Sequence, residues 1–382
     1  MQGVNQMKLS DREWKVFAVP YVFQNIQRGK RLKKTDHISG IVPYVSSTAN
    51  NNGVDAYIEV TKGTRVFENC ISLANSGSVG TAFYEPFAFV ASDHVTSLKR
   101  ENTSQYVYLF LAAALEQQKS NFDFNREIND LRIKKMRIML PVDDNDEPDY
   151  QFMEDYMKEL MVAKRKQYQE YIEQRLSELG IDAKNTEVLG YNLDLESKDW
   201  KKFNINDIFV VGHGFYNKKP PMHENGEFPF IGASGENNGI TGFTTLKDVE
   251  NNSKIGYGTN ETIDKKVFSK GHLCVVNNGS AIGYTYYQPD NFTCTHDVNP
   301  LWLRKHEMNK CTGLFLSQMI KSQGICFAYA RKWRPSRMVH SCIMLPVNDN
   351  DEPDYDFMEE CGRKMMAKKY IQYLNFLNNR GF

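Results

Sequence analysis

The sequence predicts a mixed α/β protein laid out as a pseudo-two-fold tandem repeat: globule, long helix, globule, long helix. Three observations predict it. Residues 138–154 read IMLPVDDNDEPDYQFME and residues 343–359 read IMLPVNDNDEPDYDFME, differing only at Asp143/Asn348 and Gln151/Asp356. Shorter anchors recur through the rest of the chain at a slowly growing offset. Each copy of the 17-residue motif is followed by an apolar stripe at helical spacing.

Each copy opens with an anchored strand. LSDREWKVF (9–17) aligns with LESKDWKKF (195–203) through Leu9/Leu195, Trp14/Trp200 and Phe17/Phe203, at an offset of 186. The same offset carries GIVPYVSSTANNNGV (40–54) onto GEFPFIGASGENNGI (226–240). LANSGSVG (73–80) then matches VVNNGSAIG (275–283) at 202, and the offset reaches 205 at the long motif. The first ~140 residues of a copy are rich in β-branched and aromatic residues broken by Gly, Asn and Ser turns, which predicts short strands, with helices over 104–118 and 313–323. Divergence is greatest where QNIQRGKRLKKTDHIS faces VGHGFYNKKPPMHENGE.

The second part of each copy begins at EPDY. Pro148 and Pro353 are expected in the first helical turn, with Asp149/Asp354 and Glu154/Glu359 at the positive end of the helix dipole. Met153, Met157, Leu160, Met161, Tyr168, Tyr171, Ile172, Leu176 and Leu179 form one stripe. Phe357, Met358, Cys361, Met365, Tyr370, Ile371, Leu374 and Leu377 form the other. Helices of ~30 residues, or ~45 Å, with matching register bury such stripes most cheaply against each other. The expected boundaries are a globule at 1–147, a helix at 148–180, a linker at 181–194, a globule at 195–352 and a helix at 353–382.

Composition narrows the chemistry. Forty-seven Lys+Arg balance 47 Asp+Glu, which speaks against gripping a polyanion by bulk charge, yet RGKRLKK (28–34), RIKKMR (132–137) and RKWRPSR (331–337) are local basic runs. Seven scattered cysteines without a C-x-x-C pair indicate buried thiols rather than disulfides or zinc. No run approaches the ~18 apolar residues of a membrane span and no signal peptide is visible, so a cytoplasmic protein is expected. Catalytic motifs fail on inspection. Pro148-Asp149 is followed by EDY (154–156) without the lysine of a metal-dependent nuclease. DDNDEPD lacks the Gly and terminal Glu of a calcium loop. VNPL (298–301) is not an amino-methyltransferase motif, and the eight histidines form no metal-binding group.

The WKVF/WKKF openings, the NSGSVG/NNGSAIG segments and above all the doubled IMLPV…EPDY.FM entering each helix resemble the specificity subunits of type I and type IIB restriction-modification systems. The resemblance covers the whole chain. It implies two target-recognition domains, each reading half of a split double-stranded DNA site, and an antiparallel coiled coil of two conserved spacer helices that seats two methyltransferase subunits. Catalysis, S-adenosylmethionine and any restriction subunit then belong to other chains, and no cofactor, metal or membrane is expected here. The partner-binding candidates at the junctions are Pro148, Tyr150, Phe152, Met153, Pro353, Tyr355, Phe357 and Met358. Loop cations and amides are the DNA candidates, since Arg reads guanine, Asn reads adenine and Lys holds phosphate. They are Lys30, Arg31, Lys33, Lys34 and Arg126 in copy one and Lys218, Lys219, Arg331, Lys332 and Arg334 in copy two. The turn residues Asn51, Asn52, Ser76 and Ser78 and their counterparts Asn237, Asn238, Asn278 and Ser280 join them. An alternative fitting the neutral net charge is a coiled-coil scaffold whose globules bind something other than DNA.

Overall fold

The computed structural model describes residues 7–123, 125–181, 195–258, 261–328 and 330–379. The chain divides into two compact units, residues 1–169 and 170–381, with the division inside the first long helix. The expected linker, apart from its first residue, lies outside the described residues.

In the first unit the opening strand Trp14–Ala18 pairs antiparallel with Arg137–Pro141. The chain between them builds two sheets. One is antiparallel, in the order Asn25–Arg28, Val95–Lys99, Cys70–Ala74, Ala82–Glu85. The other runs Val54–Ile58, Ser39–Val45, Phe89–Ala91, Val66–Phe67, with its central pair parallel. Helix Gln105–Glu116, capped by the Ser104 hydroxyl, puts Leu111 and Leu115 into a core with Ile71, Leu73, Leu98, Ile138 and Leu140.

The second unit repeats this plan. Trp200–Asn204 pairs with Cys342–Pro346, and a four-stranded sheet runs Phe209–Val211, Val298–Leu303, His272–Val276, Thr285–Gln288. The smaller sheet is Ile240–Thr244, Phe228–Ile231, Thr293–Cys294, with the last pair parallel. Helix Lys310–Gln323 begins three residues before the expected start, because the Asn309 side chain caps the N–H of Thr312. One addition has no counterpart among the described residues of the first unit: helix Leu246–Asn251 followed by the hairpin Asn252–Ser253/Gly256–Tyr257.

The long helices are Tyr150–Glu178 and Tyr355–Asn379. Pro148 and Pro353 precede them instead of lying in their first turns: each forms an isolated bridge with Val142 or Val347, and the following aspartate is the cap. Within the second unit, the tail of the first helix runs antiparallel to the second. The rings of Tyr171 and Tyr370 meet edge-on at 6.5 Å, and a Cβ at Gly180 would lie 3.9 Å from the Arg363 guanidinium. Ile172, Leu176 and Ile371 are buried as the stripes require, and Ala367 is buried beside them. Met365 and Tyr171 are not: they are 54% and 43% exposed, corrections to the expected stripes. Of the seven cysteines, Cys326 is exposed and Cys342 half-buried, against the expectation that all are buried.

Candidate nucleic-acid interface and the duplicated junction

The 17-residue repeat is held by the same bonds twice. Asp143 Oδ1 accepts the N–H groups of Asn145 and Glu147 at 2.9 and 3.1 Å, and Asn348 Oδ1 accepts those of Asn350 and Glu352 at the same distances. Either side chain supplies one acceptor oxygen, which explains why the repeat tolerates this difference. In copy one the two N–H donors hold the Asp143 carboxyl below its ordinary pKa. Asp149 and Asp354 cap the helices through Phe152 N and Phe357 N at 2.8 and 3.0 Å. Each also pairs with a cation of the opening segment, Arg12 at 2.8 Å or Lys198 at 2.6 Å. Lys15–Asp146 and Lys201–Asp351 repeat in the same way.

These contacts redistribute the expected partner face. Phe152, Met153 and Met358 are buried in their own units rather than exposed. Pro148 is buried, and Pro353 is half-buried. Tyr150 is half-buried beneath Arg100, Tyr355 stacks on His306 at 4.4 Å, and Phe357 lies under Lys198. The exposed apolar side chain common to both junctions is instead Met139 and its counterpart Met344. Strand alternation in IMLP carried that signal: Ile138 and Leu140 point in, so Met139 points out.

The basic loops leave the sheets at equivalent glycines. A Cβ on Gly29 would stand 2.1 Å from the Ser92 carbonyl oxygen, and one on Gly214 2.0 Å from that of Thr295, so only glycine fits either place. Beyond them Lys30, Arg31, Lys33 and Lys34 are exposed in the first unit and Lys218 and Lys219 in the second. Lys30 and Arg31 border a cavity of about 160 Å³ together with Lys62 and Arg65, two cations that the sequence reading missed. Lys219 Nζ bonds Thr241 Oγ1 at 3.1 Å and lies over the Phe230 ring.

A second pair of basic loops is pinned from beneath. The buried Asn75 and Asn277 accept, on their backbone carbonyls, the N–H groups of Ile128 and Trp333 at 2.9 and 3.1 Å. Their side-chain amides bond Thr96 Oγ1 and Asn299 Oδ1, tying each loop to a central strand. Trp333, fully buried and stacked on Phe327 at 4.6 Å, roots RKWRPSR and leaves Arg331 and Arg334 exposed. Arg126 is exposed at the equivalent place. Lys332 is half-buried and engaged, unlike the exposed Arg331 and Arg334.

The amide candidates divide. Asn51, Asn52, Asn237 and Asn238 all have φ near 50°, followed by Gly53 and Gly239 at 74° and 78°. The doubled NNG is therefore a left-handed turn that favours Asn for its backbone. All four asparagines are exposed, and Asn238 also donates to the Tyr287 carbonyl. Ser76 is buried, and Asn278 donates its amide N–H to Asp297 at 2.9 Å while its Oδ1 is buried without a partner. Ser78 is half-buried and Ser280 exposed. Among the described residues no group of three or more His, Cys, Asp or Glu could hold a metal, and no helix is long and apolar enough to cross a membrane.

The family model described as type I restriction modification DNA specificity domain matches this chain twice, over residues 11–170 and 197–373. The chain belongs to that family. As one of these specificity subunits it confers DNA sequence specificity and is not itself an enzyme. It is 26% identical over 328 residues to the type II restriction enzyme specificity subunit S.BcgI of Heyndrickxia coagulans, spanning 85% of this chain and 86% of that one. Similar solved structures include the type I system S subunit of M. genitalium, at 15% identity and a TM-score of 0.48, covering 98% of this chain and 95% of that one. Another is the HsdS subunit of Thermoanaerobacter tengcongensis, at 11% identity and a TM-score of 0.31, covering 100% and 94%.

Proposed function

We propose that this specificity subunit recognises an asymmetric bipartite DNA sequence, one half through each unit, and seats two methyltransferase subunits on its two junctions. Residues 1–147 and 195–352 act as the target-recognition domains, and 148–180 and 353–382 as the spacer helices. S-adenosylmethionine is bound by the methyltransferase, and cleavage belongs to that subunit or to a separate restriction subunit. The observation that carries this reading is the contrast between junctions whose turn, cap and ion pairs repeat and loops that share only their glycine and asparagine roots. Identical partners need identical seats, whereas different half-sites need different readers. The relative's name as a type II restriction enzyme subunit supports a type IIB assembly over a type I one.

Co-expression with an adenine methyltransferase tests this. The expected product is a complex of two methyltransferases per chain that binds duplex DNA with a steep salt dependence and methylates one split sequence in the host genome. A monodisperse chain that ignores the methyltransferase, or a complex indifferent to duplex DNA, would overturn it.

A further inference from the structure

The second unit carries sixteen more residues than the first between matched strands: 59–69 separate Val54–Ile58 from Cys70–Ala74, and 245–271 separate Ile240–Thr244 from His272–Val276. The insertion is built, not slack. Lys266 is fully buried, and its ammonium donates to the carbonyls of Val249, Glu250 and Asn252 at 3.1, 3.0 and 2.9 Å. It thereby closes the end of helix Leu246–Asn251 and fixes where the hairpin begins. Burying an ammonium is costly unless every proton is used, and here all three are. At its turn the hairpin is fastened to the basic loop, since the Lys254 carbonyl accepts the N–H groups of Asn217 and Lys218 at 2.9 and 3.2 Å. Gly256 has φ of 145°, and the Lys218 side chain passes 3.8 Å from where its Cβ would be.

The tip of this scaffold carries two large apolar side chains. Tyr257 is 91% exposed and Ile255 74% exposed, beside the exposed Lys218 and Lys254. Folding gains nothing from an aromatic and an aliphatic side chain left in water at the end of a braced ribbon. A two-stranded ribbon fits a DNA groove, apolar side chains meet thymine methyls and sugars there, and lysines on its flanks meet phosphates.

We infer that the hairpin Asn252–Tyr257 is a groove-entering finger of the second unit, with Tyr257 and Ile255 contacting bases or sugars and Lys218 and Lys254 holding the flanking phosphates. This rests on the DNA-reading function proposed above and adds that the second unit reads DNA with an element that the first lacks. The finger's occupant is duplex DNA, by the complementarity of lysines and apolar tip to a groove.

The test uses the whole methyltransferase complex and duplexes in which thymines of either half-site are replaced by 5-bromouracil. Wild-type complex should photo-crosslink through Tyr257 to the half-site of the second unit only. Tyr257→Ala combined with Ile255→Ser should lower methylation of sites carrying that half by at least fivefold and relax the requirement at one or two base pairs, leaving the other half-site's requirement and the melting temperature unchanged. Unchanged affinity and sequence requirement in the double variant would overturn the finger while leaving DNA reading intact. Loss of methyltransferase assembly with DNA contact retained would assign the tip to a protein partner and overturn it equally. Failure of the wild-type complex to bind duplex DNA would instead refute the underlying function.

Discussion

Met157 and Gly362 occupy the same place in the two copies, eight residues past the helix-capping aspartate, and the helices around them pack differently. At Gly362 a Cβ would lie 2.3 Å from the Cys311 carbonyl oxygen, so helix Tyr355–Asn379 lies backbone to backbone on helix Lys310–Gln323. At Met157 a side chain intervenes. It lines an apolar cavity of about 610 Å³ with Trp14, Phe110, Ala113, Tyr156 and Leu160. The near-identity of 138–154 and 343–359 therefore stops where it stops for a reason. The turn, the cap and the ion pairs are common property, whereas the seat of the helix on its own globule is not.

Exchanging these two residues should give the largest effect. Gly362→Met must push two backbones apart, and overpacking at such a contact costs roughly 3 kcal/mol or more. Met157→Gly leaves only a wider cavity and a weaker helix former, about 1 kcal/mol of propensity plus the lost part of the methionine's burial. Urea unfolding of the two variants measures the difference. Equal losses would mean that the close approach at Gly362 is not what seats the second helix.

A second contrast lies under the NNG turns. Gln288 is buried and donates to the Asn238 carbonyl at 3.2 Å, satisfying the turn. The first unit has Glu85 in that place, bonded by the Ser72 hydroxyl at 2.9 Å, with its other oxygen buried and unpartnered. Burial raises its pKa to about 7. A carboxyl raised in the folded state keeps a proton that the unfolded chain releases, so stability falls as pH rises from the ordinary carboxylate range to about 7. The loss approaches roughly 3 kcal/mol at about 1.4 kcal/mol per unit. Glu85→Gln should remove that slope and stabilise the protein at pH 8 relative to pH 5. Gln288→Glu should introduce a slope of the same sign and lose the bond to the turn. Unfolding curves at the two pH values decide it, and a flat wild-type profile would show that Glu85 is relieved by a neighbour.

Much of this was legible in the sequence, and the misses share a cause. The tandem plan, both long helices and the structural nature of the EPDY turn follow from patterns that any chain must obey: offset anchors, 3.6-residue stripes and capping residues. Periodicity shows which face of a helix is apolar, but not whether a neighbour covers it, and so Met365 was placed in a stripe that leaves it exposed. Asparagine is ambiguous for a similar reason. An amide that reads adenine is the same amide that holds a left-handed turn, and the turn accounts for all four NNG positions. The finger was signalled by the jump in offset from 186 to 202, although its form depends on a lysine buried by tertiary contacts alone.

On the proposed function, substitutions in the basic loops give a smaller effect, but one confined to half of the site. Arg331→Ala or Arg334→Ala should act only on the half-site of the second unit, and Arg126→Ala only on that of the first. Loss of a guanine contact costs ~1–3 kcal/mol and relaxes one position, whereas loss of a phosphate contact weakens all sequences evenly and lowers the salt slope by about one. Methylation of a library of split sites separates these outcomes. An Arg126 variant that altered the second half-site would reverse the assignment of loops to half-sites.

The smallest effect is expected where the two copies are most alike. Asp143 and Asn348 accept the same two N–H groups at matching distances, so exchanging them should leave melting at pH 7 almost unchanged. Acid separates them, because only the aspartate can be protonated. Its carboxyl is held below the ordinary value by the N–H groups of Glu147 and Asn145, so its extra stabilisation is fully present above that value and disappears as pH falls through the lowered one. Asp143→Asn should therefore flatten the acid limb of the melting curve below about pH 4. Asn348→Asp should steepen it by a similar amount, since the receiving turn is the same. If the two substitutions change the acid limb unequally, the turns are not equivalent in energy, and the bonds that repeat in geometry are being held by different surroundings.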